Sequence, residues 1–134
     1  MDWTKFNELS ILVIDDDQFT RELIKTMLKQ VPNITVYQAK DGREALALMN
    51  DMKLDMILLD LYMPQMNGRE FLETIRRNNQ HHIVPIVLIT TDRLSKVELT
   101  DIGANYYLTK PFDFHNFLES IYLFFEQETV LNAT

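Results

Sequence analysis

Apolar residues in this chain fall into short unbroken runs separated by longer amphipathic stretches. Ile11-Leu12-Val13-Ile14, entered at Ser10, is β-branched and stops abruptly at Asp15-Asp16-Asp17. A second run spans Met56 to Leu59, and Pro85-Ile86-Val87-Leu88-Ile89-Thr90 is a third. Runs of this length without polar alternation suit parallel strands covered on both faces. Ile34 to Ala39 alternates in part and reads as a strand nearer an edge. Asn105 to Thr109 is a fifth strand, closed by Lys110-Pro111.

The stretches between these runs carry helical signals. Gln18 to Lys29 places Phe19, Leu23, Met27 and Val31 at four-residue spacing, which predicts one inward face, and Pro32-Asn33 ends it. Asp41-Gly42-Arg43-Glu44 and Asn67-Gly68-Arg69-Glu70 are helix starts, a capping residue with Glu three positions on. The first would turn Ala45, Leu46, Leu48 and Met49 inward, the second Phe71, Leu72 and Ile75. Ser95-Lys96-Val97-Glu98 is a capping box opening a short, weakly apolar helix that ends at Gly103. From Asp113 the last helix shows Phe114, Phe117, Leu118, Ile121, Phe124 and Phe125 at helical spacing. Its aromatic stripe is core, with Tyr122 and Phe125 kept open as partner surface. Glu126 to Thr134 either extends that helix or begins a linker, and Trp3 and Phe6 are expected to dock a polar lead-in onto the body.

Five strands alternating with five helices predict an α/β fold, a parallel sheet with helices on both sides. Right-handed crossovers leave few arrangements for it. A length of 134 residues suits one domain, and 46% apolar with 25% charged residues is a globular composition. No apolar run is long enough for a bilayer, and Met1 to Glu8 lacks the pattern of a secretion signal. Cysteine is absent, which removes disulfides and cysteine metal sites and suits a reducing, cytoplasmic setting. A net charge of -7 argues against direct nucleic-acid binding and favours cations or basic partners.

Chemistry collects at the strand ends. The first apolar strand ends at Asp15-Asp16-Asp17, the third at Asp60, the fourth at Thr90-Thr91-Asp92 and the fifth at Lys110. In a parallel sheet these ends share one edge, where ligand crevices of open α/β sheets lie. Carboxylates gathered there repel one another, and a hard divalent cation relieves them; Mg²⁺ (or Mn²⁺) fits, because it accepts a few carboxylates and keeps water and phosphate oxygens. A lysine opposite suits an anion that also touches the metal. The set reads as a phosphoryl-transfer site with Asp60 as nucleophile. Helix capping is the competing role for the triple acid, Asp17 above all. His81-His82 has no partner acids and reads as a solvated loop pair.

Val13-Ile14-Asp15-Asp16-Asp17, Leu59-Asp60-Leu61-Tyr62-Met63-Pro64-Gln65-Met66-Asn67-Gly68, Leu88-Ile89-Thr90-Thr91 and Leu108-Thr109-Lys110-Pro111-Phe112 together resemble the receiver domain of two-component response regulators. The resemblance runs from about Ile11 to Phe125. It implies a flavodoxin-like, doubly wound five-stranded sheet of order 2-1-3-4-5, with residues 1–9 an N-terminal extension, 10–127 the receiver domain and 128–134 a tail or the start of a linker. It also implies that Asp60 is phosphorylated from the phosphohistidine of a sensor kinase or phosphotransfer protein. Asp16 would ligate Mg²⁺ directly, Asp15 through water, and Asp60 and the Tyr62 carbonyl would complete the set. Lys110 would pair with the phosphate, through a cis Lys110-Pro111 bond. Thr90 would be the switch hydroxyl and Tyr107 the aromatic that turns with it. Tyr62, Thr91 and Asp92 occupy positions that tune phosphate lifetime. Output would leave through the face of the fourth helix, fifth strand and fifth helix, to an output domain or partner the sequence does not name; phosphorylation-dependent homodimerisation is left open. A phosphatase using the same aspartate would need a second acid where Tyr62 stands, and a flavin module would need a Gly- and hydroxyl-rich loop after the first strand.

Overall fold

The computed structural model describes residues 1–63, 67–77 and 84–133. The expectation for His81-His82 lies outside the described residues, as do Pro64, Gln65 and Met66. The strands are β1 (Leu9–Ile14), β2 (Ile34–Ala39), β3 (Met56–Asp60), β4 (Ile86–Thr90) and β5 (Tyr106–Thr109). The helices are α1 (Gln18–Leu28), α2 (Gly42–Met49), α3 (Gly68–Arg77), α4 (Lys96–Ile102) and α5 (Phe114–Ala133), with a 3₁₀ turn at Trp3–Lys5 before β1. All strand pairs are parallel, and the order is β2-β1-β3-β4-β5.

The sheet is buried on both faces, as its uninterrupted apolar strands require. Ile11, Val13, Leu58, Val87 and Ile89 pack with Ile24, Met27 and Leu28 of α1 and Phe117 and Ile121 of α5. Leu12, Ile14, Ile57, Leu59 and Leu88 pack on the other side with α2, α3 and Ile102 of α4. Both β3 and β4 are buried along their whole length, whereas the edge strand β5 is half-buried. The register Ile14↔Leu59, Asp60↔Ile89 and Thr90↔Thr109 brings the C-terminal ends of β1, β3, β4 and β5 level at one edge.

Helix ends follow their capping residues. Asp17 accepts from the Phe19 N–H, Asp41 from the Glu44 N–H, Asn67 from the Glu70 N–H, and Ser95 with Glu98 closes a full capping box. Gly103 ends α4 in the left-handed region at φ 94°.

The inward face of α1 matches the expected one at Met27 and Val31 but not at Phe19 and Leu23. Phe19 is 75% exposed and Leu23 46%, while Ile24, Met27, Leu28 and Val31 are buried. The buried set recurs at i, i+3, i+4 and i+7, a wider stripe than one every-fourth-residue row, and burying it removes more apolar surface from water. The Asp17 cap fixes where the helix begins and so leaves Phe19 facing outward. In α2, Ala45 and Met49 are buried, and Leu46 and Leu48 pack half-buried against the same core.

At the opposite edge of the sheet Trp3 and Phe6 close over α5. The Trp3 ring lies 5.1 Å from that of Tyr122 and 6.4 Å from that of Phe125, and Phe6 lies 5.8 Å from Phe125. Lys5 bonds Glu126, and the Asn33 amide donates to the carbonyls of Trp3, Phe6 and Asn7. Tyr122 and Phe125 are therefore buried under the lead-in rather than offered to a partner. The helix runs on to Ala133, braced by a bond from the Tyr106 phenol to Glu128.

Candidate functional site

The acids meet at the level edge of the sheet. One carboxylate oxygen from each of Asp15, Asp16 and Asp60 lies within 4.8 Å of the others. Asp15 is 2% exposed and Asp60 9%, so two of the three are largely shielded from bulk water. The Lys110 ammonium stands 3.8 Å from Asp15 Oδ2. Its strand is registered on β4, and the Lys110 N–H donates to the Thr90 carbonyl at 2.7 Å. The Lys110-Pro111 bond is cis.

Each side chain has a local reason for its place. Asp15 is the first residue after β1. Its N–H donates to the Ala39 carbonyl at 3.1 Å, extending the β1–β2 ladder by one bond. Its Oδ1 accepts from the Asp17 N–H at 2.9 Å, which curls the chain into the turn before α1. Asp60 ends β3, and its Oδ1 accepts from the Tyr62 N–H at 3.2 Å. Gly68, the first residue of α3, donates to the Leu61 carbonyl at 3.0 Å. A Cβ on Gly68 would stand 2.9 Å from both Leu61 Cα and Leu61 O, so the close approach needs glycine.

Electrostatics follow from this crowding. Burial pushes the Asp15 carboxyl up to about 6, with the Asp60 and Asp16 charges adding to the rise and Lys110 and the Asp17 N–H opposing it. Asp60 is also raised, by burial first, against the Tyr62 N–H and Lys110. Three acid oxygens this close, with neighbouring anions holding protons on, form a donor set that fits a hard divalent cation.

Thr90 is buried at the end of β4, and its hydroxyl oxygen accepts from the Asp92 N–H at 3.1 Å. Thr91 and Asp92 are exposed on the turn that follows. The Tyr62 phenol donates to the Asp92 carboxylate, so the two loops flanking Asp60 are tied together. Tyr107 is half-buried on β5, opposite Leu88, and packs with the core on the α2–α4 side. Asp17 turns away from the acids to cap α1, where it also accepts from the Thr20 hydroxyl at 2.6 Å.

One contact at this edge has no signature in the sequence. The Arg21 guanidinium donates to the Asp15 carbonyl at 2.7 Å and to Gln38 Oε1 at 3.2 Å. An arginine six residues past an acid carries no signal of its own, because its reach depends on how α1 leans on β2.

A family model described as the response regulator receiver domain matches residues 11–122. The chain belongs to that family. Membership places it in two-component signalling, whose receiver domains are switched by phosphorylation. The receiver is 37% identical over 105 residues to the transcriptional regulatory protein CpxR of Escherichia coli, covering 77% of this chain and 43% of that one. Chemotaxis response regulator CheY4 of Vibrio cholerae superposes with a TM-score of 0.78 at 32% identity, over 86% of this chain and 97% of that one. The receiver domain of sensor histidine kinase PA1611 from Pseudomonas aeruginosa, solved with a magnesium ion coordinated in its active-site cleft, gives 0.77 at 25% identity, over 88% of this chain and 98% of that one. The chain spans less than half the length of the curated relatives it matches. No helix among the described residues is long and apolar enough to cross a membrane.

Proposed function

We propose that this receiver is a phosphorylation switch in which Asp60 takes a phosphoryl group from the phosphohistidine of a sensor kinase or phosphotransfer protein. The observation that carries this reading is the meeting of Asp15, Asp16 and Asp60 within 4.8 Å beside Lys110. An Asp60 carboxylate oxygen bonds to phosphorus as the phosphorus–nitrogen bond to the donor imidazole breaks, and the imidazole departs with the bonding pair. Asp15, Asp16, Asp60 and the Tyr62 carbonyl would hold Mg²⁺ or Mn²⁺, which supplies charge neutralisation for phosphoryl oxygens. Lys110 contributes a second positive charge on the same side, 3.8 Å from Asp15.

The Thr90 hydroxyl is the group best placed to report the new charge. It is buried, one strand over from Asp60, and held only by a bond from the Asp92 N–H among those resolved for it. Recruiting it to a phosphoryl oxygen would release the Asp92 turn and bias α4, in which Ile102 alone is buried. Tyr107, half-buried beside it on β5, is the aromatic expected to follow. Signal would leave through α4, β5 and α5 to an output domain or partner. The receiver turns over no separate substrate in this reading, and acts in the cytoplasm.

Incubation with acetyl phosphate and Mg²⁺, followed by intact mass, tests the proposal. The parent should gain one phosphate and Asp60→Asn none, while Asp17→Asn should still be labelled. Release of phosphate from a phosphomonoester by the parent would favour the phosphatase alternative instead.

A further inference from the structure

We infer that Arg21 is a positioning residue for the divalent-cation site, acting through the main chain of Asp15. The inference rests on the proposed reading of the acids as a cation site and deepens it.

Asp15 is held at three points. Its N–H is fixed by the Ala39 carbonyl, its carbonyl by Arg21 at 2.7 Å, and its Oδ1 by the Asp17 N–H at 2.9 Å. The remaining oxygen, Oδ2, is the one facing Lys110. The carbonyl of Asp15 and the N–H of Asp16 belong to one planar peptide unit. Fixing that carbonyl therefore fixes the plane from which the Asp16 side chain departs, and Asp16 has no hydrogen bond of its own among the described contacts to do so. The guanidinium is itself aimed by a second bond, to Gln38 Oε1 at 3.2 Å, and the Gln38 amide donates to Glu22 at 3.3 Å. A planar fork with two of its donors engaged loses little freedom on binding, which suits it to hold a peptide unit in one orientation. Arg21, Gln38 and Glu22 thus tie α1 and the edge strand β2 to the acidic turn.

The sign of the effect separates this role from a simpler one. Arg21 is a cation close to a site for cations. If it acted only through its charge, removing it would tighten binding of a divalent ion. If it merely braced the fold, removing it would lower the melting temperature and leave the affinity of the folded protein alone. A positioning role alone predicts weaker binding.

The test is titration of the apo protein with Mn²⁺, with free Mn²⁺ read by electron paramagnetic resonance, alongside a thermal melt without metal. Arg21→Ala should weaken Mn²⁺ binding by about tenfold, the scale found when groups that orient metal ligands are removed. Gln38→Met keeps every charge but frees the guanidinium, and should shift affinity in the same direction by a smaller factor. Arg21→Lys, one point charge without the fork, should not restore the parent value. Binding by Arg21→Ala that equals or exceeds that of the parent overturns the inference. Should Arg21→Ala fail to fold, unchanged binding by Gln38→Met overturns it. A parent that binds no Mn²⁺ overturns the cation-site reading itself, and the inference with it.

Discussion

The Tyr62 phenol donates to the Asp92 carboxylate, joining the loop after β3 to the turn after β4 across the mouth of the site. Tyr62 is 59% exposed, and its backbone N–H is bonded to Asp60 while its phenol reaches Asp92, so its side chain lies on the rim beside the carboxylate. Tyr62→Ala should shorten the lifetime of the aspartyl phosphate roughly severalfold by admitting water. Tyr62→Phe, which keeps the ring and loses the tie to Asp92, should fall between. Decay of the phosphorylated mass after removal of acetyl phosphate measures both.

Without metal, the acids make stability depend on pH. Asp15 holds its proton in the folded state up to about 6, against 3.8 for an unperturbed aspartate. Between these values the folded state binds more protons than the unfolded chain, so stability is greatest on the acid side of the window and falls as pH rises through it. Asp60 is raised by the same causes and adds in the same direction. In the presence of a chelator, melting temperature should fall from pH 4.5 to pH 7. Asp15→Asn should remove much of that fall and stabilise the apo protein at pH 7 by about 1–3 kcal/mol. Mg²⁺ should raise the melting temperature of the parent at pH 7 and do little for Asp15→Asn.

Gly68 packs where only a hydrogen fits, with Leu61 main-chain atoms 2.9 Å from a built Cβ. Gly68→Ala should cost about 1–3 kcal/mol by urea unfolding. It should also slow labelling of Asp60, because the strain falls on the residue next to it.

The phase of α1 separates two apolar residues that look alike in sequence. Phe19→Ala should change stability by less than about 0.5 kcal/mol, since the ring lies mostly in water. Ile24→Ala, fully enclosed between α1 and the sheet, should cost about 2–5 kcal/mol. Equal costs for the two would contradict the observed face.

The residues that could be read from sequence are those whose position the backbone alone determines. Strands such as Ile57 to Leu59 have no polar face, so they must be parallel and central, and their terminal acids must share an edge. Asp15, Asp16, Asp60 and Lys110 come together for that reason. The row Phe19, Leu23, Met27 and Val31 on α1 is buried only in its second half, because the cap at Asp17 and the fit of Ile24 to the sheet choose between rows that look equally apolar in sequence. Tyr122 and Phe125 were ambiguous because their cover, Trp3 and Phe6, lies more than a hundred positions earlier. The grip of Arg21 on Asp15 was invisible because a long flexible side chain can reach many atoms, and tertiary packing selects one.

The Trp3–Phe6–Tyr122–Phe125 cluster has a consequence for how this receiver tolerates its own chemistry. The edge that carries the acids is electrostatically frustrated whenever it lacks a counter-ion. The far edge is aromatic and lies at the other end of the strands from the acids. Strength gathered there can be tuned by evolution or by design without touching transfer, so losses at the working end have a place to be compensated.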